Sequence, residues 1–327
     1  MIDKKQYKNA VLIGGGSGTS ALLEGLKKYP LNLSAIITTA DNGGSSGKLR
    51  EEFGMIPPGD IRQCLVALAS RNFEYLNERF QEGSLQGHTL GNLLITLFYQ
   101  KNKNFQQAID ELLSVTGAKG SLIPMTLKPV TLHAVMKDGS KIAGEKDITS
   151  SGRIGKELKR LAISSPGIKA NPKAVSAING ADIIIVGPGN LFSSVMPNFL
   201  VRDIRESFKQ SHAKKIYIAN LFTQPGHTDS FTLGDFLKIL SSYIGGDFFD
   251  FVIYNSKPVS GDVLKKHKSK AIFAPVQITD EERKNARFIG KAIARAAVKK
   301  ASKADLLDRN PFLHDSRKIA KAILELI

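Results

Sequence analysis

The sequence predicts an α/β protein: a doubly wound, mostly parallel sheet with helices on both faces, a Rossmann-like three-layer α/β/α layout, and a small β-hairpin insertion. Three observations predict it. Short apolar runs recur that are continuous rather than alternating, as strands buried on both faces are. Each run ends in a turn built from Gly, Asn or Asp. Segments with helical spacing of apolar residues separate the runs, and strand–helix alternation is the pattern of a parallel sheet.

In order, the strand-like runs are residues 10–13, 35–39, 183–186, 216–219 and 251–254. They precede Gly14-Gly15-Gly16, Asp41-Asn42-Gly43-Gly44, Gly187-Pro188-Gly189-Asn190, Asn220 and Asn255. Helical spacing covers roughly residues 18–28, 60–70, 90–100, 104–114, 194–210, 232–243, 280–301 and 315–326. Residues 128–146 read instead as extended segments around Asp138-Gly139, a hairpin signal. The expected organisation is one nucleotide-binding domain over residues 1–327, with a β-rich insertion near 124–150 and a basic helical C-terminal region over 265–327, where Ile289, Ile293, Ile319, Ala322, Ile323 and Leu326 recur at helical spacing.

Composition narrows the class. Over 327 residues, 42% are hydrophobic and 23% charged, the balance of a globular chain. The single cysteine, Cys64, excludes an internal disulfide framework and a multi-cysteine zinc site, and its place in an apolar helix marks it as core. No apolar run approaches the ~20 residues of a membrane span. The polar stretch Met1 to Lys8 leads straight into a strand, so no signal peptide is expected and a cytoplasmic location follows. Net charge is 46 − 30 = +16, of which residues 265–327, with 16 basic and 7 acidic side chains, supply 16 − 7 = +9. No zinc-finger spacing or aromatic-interleaved RNA signature accompanies that charge, so nucleic acid is not the expected partner. The clusters Lys265-Lys266-His267-Lys268 and Lys299-Lys300 read as a solvated basic face.

Ligands of open parallel sheets bind at the carboxyl ends of the strands, near the point where strand order reverses. There this sequence concentrates glycine and small polar residues. Gly14, Gly15, Gly16, Ser17, Gly18 and Thr19 lie between a strand and a helix; glycines let the backbone approach an anion and the helix start offers free N–H groups. The dinucleotide fingerprint fails at Thr19, where its last glycine should stand, and no Gly-Lys-Ser/Thr makes the loop a Walker A. An NAD-dependent oxidoreductase is therefore the weakest reading.

The run Asp41 to Arg50 holds Gly43, Gly44, Ser45, Ser46, Lys48 and Arg50, the material of an anion-binding nest. Asp41 suits a ribose hydroxyl or a metal ion. In Pro57-Pro58-Gly59-Asp60-Ile61-Arg62, Asp60 and Gln63 have capping-box spacing, and capping is the expected role for Asp60. Arg62, in a first helical turn where a cation is unfavourable, fits an anionic ligand or a surface salt bridge equally. Thr89 is placed to cap the next helix, with His88 before it as an acid, base or phosphate contact. Asp41 and His88 are the candidates for catalysis. No metal-ligand spacing links the histidines to one another or to carboxylates.

Gly14 to Thr19, Ala40 to Arg50, Pro57 to Leu68, Gly87 to Asn92, Gly187 to Asn198 and Thr223-Gln224-Pro225-Gly226, in that order, resemble the motifs of the bacterial gluconeogenesis-factor (YvcK-type) family, a relative of 2-phospho-L-lactate transferase. That enzyme is magnesium-dependent and belongs to coenzyme F420 biosynthesis. The likeness runs over nearly the whole chain, to residues 309–321. It implies a ligand containing a nucleotide diphosphate, bound by Gly14 to Thr19, Asp41, Gly43 to Ser46, Arg62, His88, Asn92, Gly187, Pro188, Gly189 and Asn220. It further implies UDP-sugar binding, roles in carbon metabolism, cell shape and cell-wall synthesis, and as partners a second copy of the chain and cell-wall regulatory proteins. Three departures stand out: Asn42 where the family often has a second Asp, Asn190-Leu191-Phe192-Ser193 where Ser-Leu-Tyr-Thr is usual, and His227 where Glu is usual.

Two readings follow. In the first, the protein binds a UDP-sugar-like nucleotide and regulates without chemistry. In the alternative, it is a magnesium-dependent 2-phospho-L-lactate transferase-like enzyme that moves a phosphorylated organic acid from a nucleotide diphosphate, with Asp41 holding the ion and His88 in a secondary role.

Overall fold

In the computed structural model, residues 7–165, 167–257, 274–296 and 312–327 are described. Seven strands form one sheet: β1 (Lys8–Gly14), β2 (Leu31–Ile37), β3 (Ser121–Pro124), β7 (Ile183–Val186), β8 (Lys214–Ile218), β9 (Phe251–Asn255) and β10 (Phe288–Lys291). Their spatial order is β10-β9-β8-β7-β1-β2-β3, and every neighbouring pair is parallel. The chain thus builds outward from β1 in one direction through β2 and β3, then returns to the other side of β1 for β7. Strand order reverses between β1 and β7, so the crevice at their carboxyl ends is the switch point where such sheets bind ligands.

Both faces of the sheet are dry, which is why its strands read as unbroken apolar runs. Val11 and Ile13 of β1, with Ile36, Ile184, Val186, Tyr217 and Val252, belong to one core. Ala10 and Leu12, with Ala35, Ile37, Ile183, Ile185, Ile216 and Ile253, belong to the other. The second face is covered by α1 (Ser17–Leu26), α3 (Gly59–Leu68), α4 (Leu90–Asn102) and α5 (Phe105–Val115), together with the terminal helix Ser316–Leu324, through Leu22, Leu65, Ile95, Ile109 and Ile319. Cys64 is fully buried in that layer, as its apolar surroundings predict. The first face is covered by α8 (Pro172–Asn179), α9 (Met196–Leu200), α10 (Arg202–Gln210) and α11 (Leu233–Ile244), through Ile178, Phe199, Phe208 and Phe236.

The same face carries a three-stranded antiparallel sheet, β4 (Leu132–Met136), β5 (Lys141–Ala143) and β6 (Leu158–Ile163), in the order β5-β4-β6. The β4–β5 hairpin turns at Asp138-Gly139, where Asp138 accepts from the Ser140 N–H and Gly139 has φ +87°. Two short helices, α6 (Glu145–Ser150) and α7 (Ile154–Glu157), lie between β5 and β6.

Some segments differ from the sequence expectation. Residues 40–50, expected as a loop, give way at Gly44 to the helix α2 (Gly44–Phe53). The helix expected over 194–210 is broken. A π-helical turn occupies Leu191–Val195, capped by the Asn190 carboxamide oxygen, which accepts from the Phe192 and Ser193 N–H groups. Pro197, in the first turn of α9, has no N–H to continue a regular ladder. Val201 is then extended before α10. The helix expected over 280–301 stops early: α12 (Asp280–Lys284) ends at Asn285, and Phe288–Lys291 pairs with β9 as β10. Ile289 and Ile293 suit a helix by spacing, but a free sheet edge outcompeted that local preference. Ala294–Ala296 (β11) pairs antiparallel with Phe312–His314 (β12), and α13 (Ser316–Leu324) follows. Lys265 to Lys268 and Lys299-Lys300 lie outside the described residues.

Candidate functional site

Gly14, Gly15 and Gly16 leave β1 at the switch point and enter α1. A methyl group on Gly15 would stand 2.8 Å from Ser194 Cβ and 3.2 Å from Asp60 Oδ2. One on Gly16 would run into the Asp60 carboxyl, and one on Gly18 would overlap the Pro188 carbonyl oxygen. Three segments far apart in sequence, starting at 14, 60 and 187, therefore meet here, and Gly18 is required because no side chain fits between α1 and the β7 loop. Ser17 Oγ donates to Gln63 Oε1 at 2.7 Å. Asn198 Nδ2 donates to the Gly14 carbonyl at 3.2 Å, and Asn220 Nδ2 to the Gly189 carbonyl at 2.8 Å. The Gly187–Pro188 peptide is cis.

The second half of the site follows β2. Asp41 Oδ1 accepts from the Gly43 N–H at 2.8 Å, and Ser46 donates to the same carboxyl. Asp41 Oδ2 lies 3.4 Å from where a methyl on Gly59 would sit, so the starts of α2 and α3 adjoin. Ser45 Oγ lies 3.0 Å from His88 Nδ1 and accepts from Asn92 Nδ2 at 3.0 Å. Thr89 caps α4 by accepting from the Asn92 N–H, as the sequence predicts. Arg62 is buried in the first turn of α3, its stem against Gly91. Gly15, Gly16 and Gly18 thus meet Asp60 and Pro188, Asp41 adjoins Gly59, and Ser45 joins His88 to Asn92.

Charge is unevenly matched there. Burial is the first cause that raises the Asp41 carboxyl above its ordinary range, against hydrogen bonds from Gly43 and Ser46 and the cations of Arg50 and Arg62. Burial, then the charges of Asp41 and Glu145, push Asp60 up to about 8, against Arg62 and the Gly16 N–H. Burial and Asp41 also raise Glu145, whose carboxyl accepts from Thr149 and Ser193. Burial, Lys48 and Arg79 lower His88, which favours its neutral imidazole.

The capping role expected for Asp60 is not what the structure places there. The N-cap of α3 is Pro58, with no side-chain cap, and Asp60 accepts instead from the Gly16 N–H across the site while Gln63 turns to Ser17. Glu145, Ser193, Ser194 and Gln63 are site-lining residues that sequence reading missed. Nothing local marks Glu145: it opens a six-residue helix in the insertion, and only the fold brings it near Asp41.

Two features make this rim fit a ligand that has both an anionic group and hydrogen-bond donors. Helices α1, α2 and α3 begin with N-caps Gly16, Gly43 and Pro58, none of which supplies a side-chain cap. Helices α4, α5, α8, α11 and α13 are capped by Thr89, Asn104, Asn171, Thr232 and Asp315; α10, uncapped, carries Asp203 in its first turn as α3 carries Asp60, and α9 is uncapped at Val195. Uncapped N-termini leave several N–H donors and a positive dipole end directed at one place. Finally, Thr19 Oγ1, Asn92 Oδ1, Asn198 Oδ1 and Asn220 Oδ1 are buried without a hydrogen-bond partner, and buried polar atoms are rarely left so without reason. A separate cavity of about 170 Å³, lined by Met55, Tyr99, Phe105, Leu127 and Pro129 among others, contains none of these residues.

Among the described residues, no three His, Cys, Asp or Glu side chains form a group able to hold a metal ion unaided. The donor set still fits magnesium, which commonly uses one or two carboxylates and takes its other ligands from water and substrate phosphates. Asp41 and Asp60 would be the protein ligands of an ion that arrives with phosphate. Also among the described residues, no helix is long and apolar enough to cross a membrane.

The 2-phospho-L-lactate transferase CofD family matches residues 10–295. The chain is 38% identical over 323 residues to the gluconeogenesis factor of Halalkalibacterium halodurans, covering 97% of this chain and 96% of that protein. It is 36% identical over 326 residues to the gluconeogenesis factor of Bacillus subtilis, covering 98% and 99%. The crystal structure of a member of the UPF0052 family from Bacillus halodurans superposes with a TM-score of 0.88 at 35% identity, over 98% of this chain and 99% of that one. The chain belongs to the 2-phospho-L-lactate transferase CofD family and groups within it with the gluconeogenesis factors.

Proposed function

We propose that the rim binds a nucleotide diphosphate, with a UDP-sugar as the ligand class, and that the protein acts through this binding as a regulator of carbon metabolism, cell shape and cell-wall synthesis. The observation that carries the proposal is the meeting of three uncapped helix N-termini at the switch point of the sheet. A pyrophosphate supplies the acceptors that their N–H groups lack. The orphaned oxygens of Asn198 and Asn220 suit the donors of a sugar or base, or a bridging water. Regulation rather than turnover is favoured by His88, whose Nδ1 is engaged with Ser45 and whose imidazole burial shifts toward the neutral form.

A second reading is favoured by a different observation, the gathering of Asp41, Asp60 and Glu145 beside the phosphate cradle. Together with the family, this chemistry suits a magnesium-dependent transferase acting on a phosphorylated organic acid carried by a nucleotide diphosphate. Such a reaction needs positioning and charge neutralisation more than covalent catalysis.

Calorimetric titration with UDP and UDP-glucose in magnesium buffer tests the first reading. Saturable micromolar-range binding is expected, and NAD should not compete. Absence of binding by both nucleotides would overturn it. Incubating the magnesium complex with a phospholactyl nucleotide and an acceptor, followed by mass spectrometry, separates the readings: a transfer product would replace regulation without chemistry by the transferase.

A further inference from the structure

The three-stranded sheet looks like an accessory to the Rossmann-like core, but its helix α6 is tied into the site at both ends. At the N-terminus, Asn42 Oδ1 accepts from the Lys146 N–H at 2.9 Å. The preceding Gly144 packs so tightly on the Asn42 carboxamide that a methyl group there would overlap Nδ2, and its φ of +97° is itself a glycine conformation. Its N–H donates to the Leu132 carbonyl of β4 at 2.7 Å, so the joint bridges site and sheet. At the C-terminal end, His227 Nε2 meets the Thr149 carbonyl at 3.0 Å. Because that carbonyl can only accept, Nε2 carries the proton and donates. His227 is fully buried, so the residue standing where the family usually has Glu serves as the second tie.

Between the two ties stands Glu145. Thr149 Oγ1 donates to its Oε1 at 2.9 Å, and Ser193 of the π-helical turn donates to the same carboxyl. Asn42, which follows Asp41 directly, is therefore used as a clamp. Where a second carboxylate would have stood in the loop after β2, this chain places a carboxamide, and Glu145 is brought to Asp41 from the insertion instead.

We propose that Asn42 is a positioning residue that docks α6, and that Glu145 so placed makes nucleotide binding depend on a divalent cation, by facing the hydrated ion that accompanies the diphosphate. The inference rests on the nucleotide reading given above. It makes the β-rich insertion a working part of the ligand site. Without the ion, a carboxylate at this position opposes a diphosphate; with it, the same carboxylate stabilises the complex. Its sign therefore reverses between the two conditions, which a purely structural residue would not do.

The test is calorimetric titration of the full chain with UDP in EDTA and in magnesium, for wild type, Glu145→Gln, Asn42→Ala, Asn42→Asp and the double variant Asn42→Ala/Glu145→Gln. Glu145→Gln keeps the shape and an acceptor for Thr149 while removing charge. It should lose ~5-fold or more of the magnesium-induced tightening, a typical size for a coupling between two ligands, and bind UDP in EDTA as well as or better than wild type. Asn42→Ala should change the EDTA and magnesium affinities in the same directions as Glu145→Gln does. Asn42→Asp, whose carboxylate still accepts from the Lys146 N–H, should retain the tightening. The double variant should behave as Glu145→Gln does, because Asn42 acts through Glu145. Full magnesium tightening in Glu145→Gln, or additive losses in the double variant, would overturn the inference while leaving the nucleotide reading intact. Failure of wild type to bind UDP in either buffer would overturn both.

Discussion

Asp60→Asn changes one atom of the site and should stabilise the protein at alkaline pH. The Asp60 carboxyl keeps some open surface, yet it is held against the Gly16 N–H, near Asp41 and Glu145, with Arg62 as the opposing charge. Its pKa is pushed from 3.8 up to about 8. The unfolded chain releases this proton near pH 4 and the folded chain only near 8. The contribution to stability is therefore complete below pH 4 and is lost as pH rises through 8. Between pH 5.5 and 8 the folded state holds about one more proton than the unfolded one. At ~1.4 kcal/mol per pH unit that amounts to an upper limit of ~3.5 kcal/mol, and partial exposure reduces it to ~2 kcal/mol. Asparagine keeps an acceptor for the Gly16 N–H and resembles the protonated acid, so the two proteins should match only below about pH 4, and the variant should already be the more stable at pH 5.5. Between pH 5.5 and 8.5 the variant's lead in melting temperature should grow by about 4–6 °C, from ~2–3 °C per kcal/mol for a chain of this size.

The assay is thermal unfolding of wild type and Asp60→Asn in EDTA across pH 5.5–8.5, read as the difference between the two proteins. Taking the difference removes the histidines and the other carboxylates, which titrate in both. A difference that does not grow with pH, or one that falls, would refute the claim that Asp60 is held against its charge by Asp41, Glu145 and burial.

Two further outcomes follow from the same packing. Gly18→Ala puts a methyl group onto the Pro188 carbonyl oxygen, a backbone atom that cannot swing aside; it should destabilise the fold by ~3 kcal/mol or more by forcing α1 off the β7 loop, and a melting temperature within a degree of wild type would refute the contact. His314 is lowered to about 4 by burial, with Nε2 on the Ala219 carbonyl; its stabilising contribution is present above pH 6.5 and lost as pH falls through 4, so His314→Gln should flatten the acid side of the wild-type stability curve by ~1–3 kcal/mol, and parallel curves from pH 7 to 4 would count against it.

The large plan of this molecule was legible because it depends on a signal that survives in one dimension. A strand buried on both faces must be apolar throughout, and the runs at 10–13, 183–186 and 251–254 fall within β1, β7 and β9. The glycine-bearing loops were legible for a similar reason, since a close backbone approach such as that of Gly18 to Pro188 admits no other residue. What was lost depended on partners distant in sequence. Residues 44–53 have too much Gly and Ser to announce a helix, yet α2 forms because its start is shared with Asp41 and its Leu49 enters the core. Residues 288–291 read as helix because Ile289 and Ile293 are four apart; the exposed edge of β9, invisible locally, took them as a strand. Asp60 carried a strong local signal, capping-box spacing, that pointed to the wrong partner. Its carboxyl answers to Gly16, more than 40 residues upstream, and no local rule weighs that competition.

The placement of Asp60 against Gly16 also bears on the kind of ligand the rim takes. A cradle of N–H groups alone would suit a bare anion, and of the carboxylates the sequence pointed only to Asp41 as a seat for an ion. The structure adds Asp41, with Asp60 and Glu145 near enough to feel its charge, and a bare diphosphate beside these carboxylates would be opposed by unfavourable pairs. Two arrangements resolve that conflict. Either the carboxyls stay protonated, which burial favours for Asp60 up to about pH 8, or a cation arrives with the phosphates. They make opposite demands on pH. Protonated carboxyls predict nucleotide binding that weakens steadily as pH rises and ignores magnesium. A bridging cation predicts binding that survives at high pH only when magnesium is present. UDP affinity measured at pH 6 and pH 9, each with magnesium and with EDTA, therefore decides whether these acids act as hydrogen-bond donors or as a cation seat; equal affinities in all four conditions would mean that the carboxylates do not face the ligand.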